Sequence, residues 1–131
     1  MELLHGHITE KIIRAFYNVY NELGFGFLEK VYENALIVEL KQLGLKGRAQ
    51  FPIKVYYKGV IVGEYFADVL VEEKIIIEIK VALEIGEEHE AQLINYLKST
   101  NTDVGLLLNF GPKAEFIRKA NTKGKSNEFL S

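Results

Sequence analysis

The sequence is 131 residues long, 48% apolar and 26% charged with both signs interspersed, the composition of an ordinary globular domain, large enough to bury a core without staples and too short for two domains. Cysteine is absent, so disulfides, thiolate metal sites and a cysteine nucleophile are excluded, and a reducing compartment fits. The net charge of −2 counts against a broad phosphate-coating surface, and neither an apolar run near the roughly 20 residues of a membrane span nor a signal-like start is visible, so a cytoplasmic protein is expected.

Thr9 reads as an N-cap, with Ile12, Ile13, Phe16, Tyr17, Val19, Tyr20 and Leu23 following at helical spacing. His5 and His7, ahead of it, read as disordered. Gly24-Phe25-Gly26 ends that helix. A second is expected over residues 28–43, with Val31, Ala35, Leu36, Leu40 and Leu43 on its apolar stripe and Gly44 as its stop. Glu29, Tyr32, Glu33 and Leu36 are three or four apart and line one side of it. Residues 50–57 read as a strand, Lys58-Gly59 as a turn and residues 60–71 as the antiparallel partner, with Gly63 a bulge position. Phe51-Pro52 demotes the start of the first of these strands to an edge or entry position. After a turn at residues 72–74, the Ile-rich run is apolar enough for the middle of a sheet.

A third helix is expected over residues 86–100, with Ala91, Leu93, Ile94 and Leu97 apolar and His89, Gln92 and Tyr96 on one flank. Residues 104–110 form an interior strand which, reached through a helical crossover, should run parallel to its predecessor. Residues 114–120 are a short strand or helix. The basic end, with Lys113, Arg118, Lys119, Lys123 and Lys125, finishes in a flexible tail over 121–131. The order ααβββαβ predicts a single α/β domain with a mixed central sheet flanked by helices.

The chemistry concentrates in the hairpin of residues 66–81. Glu78 and Lys80 project from one face of the second strand while Ile77, Ile79 and Val81 fill the other. If the hairpin brings Asp68 beside Glu78, two carboxylates converge next to one ammonium. Such a pair repels unless a proton or cation lies between its members, and an all-oxygen cluster suits a hard divalent ion. The plain alternative is a solvated face: Glu72, Lys74, Glu78 and Lys80 share one parity and can form cross-strand ion pairs. Glu29 can equally be a helix-start acid favoured by the macrodipole, and Gln92 and Tyr96 polar positions beside an apolar stripe. His89 can be a ligand, a base or a surface residue.

Four elements then occur in order: a helical Glu29, a strand Asp68, a strand Glu78-x-Lys80 and a helical Gln92-x-x-x-Tyr96. This arrangement resembles the PD-(D/E)XK nuclease superfamily, and its Gln-x-x-x-Tyr helix is similar to that of the RecB-like exonuclease branch. Gly26-Phe27-Leu28-Glu29-Lys30-Val31-Tyr32, with Ala35-Leu36 after it, resembles the small proteins called the GxxExxY family. The likeness runs from about residue 24 to residue 111, through Tyr57-Lys58-Gly59, Ala67-Asp68, Glu78-Ile79-Lys80 and Asn109-Phe110-Gly111. Ala67 stands where the superfamily's name has proline.

The resemblance implies a restriction-endonuclease-like αβββαβ core. It implies Asp68, Glu78 and the backbone carbonyl of Ile79 as ligands of Mg2+ or Mn2+, with Glu29 reaching the ion directly or through water. Lys80 would orient the attacking water or stabilise developing charge, with Gln92 and Tyr96 holding Lys80, the water or a phosphate oxygen. The expected activity is metal-dependent hydrolysis of phosphodiester bonds in DNA, with RNA the second choice of substrate. The alternatives are a non-catalytic nuclease-fold module that binds nucleic acid or a protein partner, and a purely structural subunit. An exposed face carrying Tyr56, Tyr57 or Phe66 would suit a homodimer.

Overall fold

A computed structural model of the chain describes residues 4–121. The expected tail falls almost wholly on residues 122–131, and with Lys123 and Lys125 it lies outside the described residues. The elements run α1 (Gly6–Leu23), α2 (Glu29–Gln42), β1 (Gly47–Tyr57), β2 (Val60–Val71), β3 (Ile75–Lys80), α3 (Glu87–Lys98), β4 (Val104–Phe110) and β5 (Ala114–Ala120). The sheet order is β1-β2-β3-β4-β5. β3 and β4 are parallel, as a strand–helix–strand crossover requires. The other three pairings are antiparallel.

β3 and β4 occupy the middle because they are apolar along their whole length: residues 75–79 and 104–110 are all buried. Odd-numbered Ile75, Ile77 and Ile79 join even-numbered Val104, Leu106 and Leu108 under α1 and α2, in a core that includes Phe16, Tyr32, Leu36 and Phe110. Ile76 and Leu107 face the other way and pack with Leu93, Tyr96 and Leu97 of α3. Helices therefore cover both faces of a mixed sheet, as the element order implied. No helix among the described residues is long and apolar enough to cross a membrane.

Several local expectations change. α1 starts at Gly6 rather than after Thr9; Thr9 is buried and its hydroxyl donates to the Gly6 carbonyl (3.1 Å). His5 takes the cap position at φ 53° and His7 lies inside the helix, so neither is disordered. In α2 the covered stripe is Tyr32, Leu36 and Leu40, which recur every four residues, leaving Val31 exposed. In α3 the third large core residue is Tyr96, and Ala91 is exposed. The bulge near Gly63 arises because Val55 pairs with Gly63 and Tyr56 with Ile61, leaving Val62 extra. Residues 114–120 are a strand. Tyr56, Tyr57 and Phe66 are exposed on the outer half of the β1–β2 ribbon.

Candidate active site

β2 and β3 stay paired only from Val71↔Ile75 to Val69↔Ile77. One residue further, the strands are joined by side chains instead. The Asp68 N–H donates to Glu78 Oε2 (2.8 Å), and the Ile79 N–H donates to Asp68 Oδ2 (2.7 Å). Each carboxylate thus reaches the backbone of the opposite strand, and the two acids interlock where the strands diverge. The solvated-face alternative does not survive, since Glu78 is only 4% exposed.

Burial is the largest cause raising the Glu78 pKa, the nearby Asp68 charge the next, and together they push it up to about 8; the Asp68 N–H and the Lys80 ammonium pull the other way. Asp68 is likewise raised, first by burial and then by the charges of Glu33 and Glu29, against the Ile79 N–H and Lys80. Buried Glu78 and half-buried Asp68, beside further acids, carry more negative field than one lysine offsets.

α2 and α3 bring the remaining groups to this point. Glu29, in the first turn of α2, is exposed and acts on Asp68 and Glu78 through space. Its loop is pinned by Tyr32, which is buried and stacked on Phe110 at 4.4 Å between ring centroids. The Tyr32 hydroxyl donates to the Gly24 carbonyl and accepts from the Phe27 N–H (3.2 Å). From α3, Gln92 Nε2 donates to the Tyr96 hydroxyl (2.9 Å). The Tyr96 pKa is raised by burial and then by the charges of Glu78 and Asp68. Glu29, Lys80 and Tyr96 are thus coupled by charge to the Asp68–Glu78 pair, and Gln92 is tied to them through its bond to Tyr96.

His89 is not among them: its Nδ1 accepts from the Gly86 N–H (3.0 Å) and caps α3. Three residues that sequence reasoning left without a role belong to the surroundings. Glu33, one turn after Glu29, is buried and accepts from Lys30 Nζ (2.6 Å) and Gln50 Nε2 (2.8 Å). The amide of buried Asn109 bonds both the N–H (2.9 Å) and the carbonyl (3.0 Å) of Ala82, tying the segment after β3 to β4. The spacing of Glu33 from Glu29 and the Asn109-Phe110-Gly111 run were the available signals; Gln50 carried none.

Among the described residues no set of three or more His, Cys, Asp or Glu side chains is arranged to hold an ion. The donor chemistry still suits a hard divalent ion: the charged groups are carboxylates, and Mg2+ takes one or two of them while keeping several waters.

A family model described as the PD-(D/E)XK nuclease superfamily matches residues 6–119. No curated protein matches the sequence. Among solved structures, the fold is similar to the crystal structure of SSO0001, with a TM-score of 0.53 and 18% identity over 75% of this chain and 52% of that one. It is also similar to the alkaline exonuclease LHK-Exo from Laribacter hongkongensis, with a TM-score of 0.54 and 13% identity over 77% of this chain and 60% of that one. The present chain spans between half and two thirds of each of those proteins, and at such identities the likeness is one of fold.

Proposed function

Since this chain belongs to the PD-(D/E)XK nuclease superfamily, whose model matches residues 6–119, we propose that it hydrolyses phosphodiester bonds of DNA, RNA being the second choice of substrate, with the help of Mg2+ or Mn2+. The observation that carries the reading is the interlocked Asp68–Glu78 pair with Lys80 two residues on. A largely desolvated acid pair left with a proton at neutral pH is stabilised by any cation that replaces that proton. Asp68, Glu78 and the Ile79 carbonyl are the ligands in this reading, with Glu29 acting directly or through water. When bound, such an ion supplies Lewis acidity, lowering the pKa of a coordinated water and neutralising phosphate charge.

Lys80, partly exposed beside the two acids, holds the attacking water in line or meets the charge that develops on the phosphate oxygens. The Gln92 amide and Tyr96 hydroxyl orient Lys80, the water or a phosphate oxygen, a role supported by their mutual hydrogen bond. That bond also favours the RecB-like branch, and the spacing of Gly26, Glu29 and Tyr32 favours the GxxExxY grouping.

Incubating the protein with labelled single- and double-stranded DNA and RNA plus Mg2+ or Mn2+ should give cleavage. Lys80→Ala should reduce it at least about 100-fold, the scale of losing one transition-state donor, with the circular dichroism spectrum unchanged. Equal inertness of both proteins on every substrate would overturn the enzymatic reading.

One observation favours the alternative of a non-catalytic module binding nucleic acid or a protein: each acid already accepts a backbone N–H, and no ready-made chelate of three acids exists among the described residues. Calorimetric titration with Mn2+ separates the two. The nuclease should bind the ion and lose it in Asp68→Asn; DNA binding with ordinary salt dependence and no metal heat would favour the module.

A further inference from the structure

The β1–β2 ribbon turns over at one point along its length. Pairs run in steady register from Gly47↔Val71 to Ala49↔Val69 and again from Phe51↔Ala67 outward, so that register sets Gln50 opposite Asp68, yet those two are absent from the ladder. The faces exchange across the gap. Val69 and Val71 pack in the core under α1 and α2, whereas Ala67, two residues away on the same strand, packs with Phe51 and Ile53 in the core under α3. Residues two apart on a regular strand share a face, so the backbone inverts between them.

Gln50 carries the inversion on β1, with φ at +54°, a region that side chains other than Gly, Asn and Asp rarely occupy and that persists only when neighbouring contacts hold it. The contact here is specific: Gln50 Nε2 donates to Glu33 Oε1 (2.8 Å), and Lys30 Nζ fixes the other oxygen of the same carboxylate (2.6 Å).

We infer that Gln50, tethered by Glu33, is a positioning residue: the turned-over backbone it maintains swings Asp68 out of the ladder so that its N–H meets Glu78 and its carboxylate meets the Ile79 N–H. The inference rests on the reading of Asp68 and Glu78 as metal-facing groups for its meaning in catalysis, and on the hydrogen bonds alone for its geometry. A straight ribbon would return Asp68 to pairing with β1 and separate the two acids.

The two levels are tested in one set of amide-resolved NMR spectra on the full chain. In the metal-free protein, exchange of the Asp68 and Ile79 amides reports the interlock. Gln50→Gly, which accepts positive φ freely, should leave both amides within about threefold of the wild-type exchange rate; Gln50→Val, whose branched side chain resists it, should accelerate both at least about tenfold. Amides of β4 should stay unchanged. Glu33→Ala, which removes the tether but leaves β1 intact, should move the same two amides in the same direction and serves if the valine variant does not fold.

Wild-type rates at Asp68 and Ile79 in both Gln50→Val and Glu33→Ala, or equal acceleration in the glycine and valine variants, would overturn the positioning role. Adding Mn2+ then reads the other level through paramagnetic broadening of those amides. No broadening in the wild type would defeat the metal reading while leaving the Gly-versus-Val comparison decisive for the geometry.

Discussion

Glu78 combines burial with a like charge on Asp68, and that combination sets its chemistry. With its pKa pushed up to about 8, the metal-free protein at neutral pH keeps a proton on this acid, and ionising it means holding two charges together in a desolvated gap. Glu78→Gln removes the charge and keeps an oxygen to accept the Asp68 N–H. The variant should therefore be more stable than wild type at about pH 8 in the presence of a chelator, by roughly 1–3 kcal/mol, seen as a higher Tm, while losing cleavage. A lower Tm in the variant would show that the carboxylate is not repelled where it sits. Lys80 carries the opposite balance: its charge stabilises both acids, so Lys80→Ala should also raise the pH range over which they remain protonated.

At the scale of elements, the site depends on segments held by contacts remote from the acids. Three connections meet near the ends of β3 and β4: the loop before α2, the segment after β3 and the turn after β4. Tyr32 fixes the first through the Gly24 carbonyl and the Phe27 N–H. Asn109 fixes the second through Ala82. Gly111, whose missing Cβ would lie 1.9 Å from the Ala82 carbonyl oxygen, allows the third to pass the second. Backbone cannot yield by that distance without moving the segment that follows Lys80. Gly111→Ala should consequently cost about 1–3 kcal/mol or more in chemical denaturation and reduce activity out of proportion to the Tm change. Tyr32→Phe keeps the stacking on Phe110 and deletes one hydroxyl, so about 1 kcal/mol is expected.

Over the whole molecule, the raised acid couples folding to pH and, under the proposed function, to metal. The Glu78 pKa lies above its unfolded value of 4.5, so the folded state binds more protons than the unfolded state between there and about 8. Its contribution to stability is then fully present below 4.5 and is lost as pH rises through the folded value near 8. Raised Asp68 acts in the same direction. The chelated protein should lose on the order of a few kcal/mol of unfolding free energy between about pH 5 and pH 8. Millimolar Mg2+ or Mn2+ should restore much of that at the alkaline end by replacing the proton. Thermal melts at several pH values with and without the ion check both. A flat profile in chelator would mean that solvent reaches Glu78 more freely than its 4% exposure allows.

Periodicity was enough to read the elements from α1 to β4 and the central place of β3 and β4, because burial on two faces writes continuous apolar runs; Pro52 left the start of β1 as an edge or entry position, and residues 114–120 stayed open between strand and helix until pairing with β4 decided them. The approach of Asp68 to Glu78 stood only as a condition on the hairpin, whose short turn at residues 72–74 makes its register local; the two side-chain-to-backbone bonds meet that condition. The start of α1 did not follow, because a threonine at position 9 reads as a cap and yet bonds back to a carbonyl inside the helix, whereas its end at Gly24 did. Tyr96 read as a flank residue because its side chain is polar only at its tip, and the ring fills the core under α3.

What tertiary structure alone decided is the inversion at Gln50, the buried Glu33 that faces it and the grip of Asn109 on Ala82. Each joins residues 17 or 27 positions apart. Side-chain partners at that separation are chosen by packing of whole elements, which no window of neighbouring residues contains.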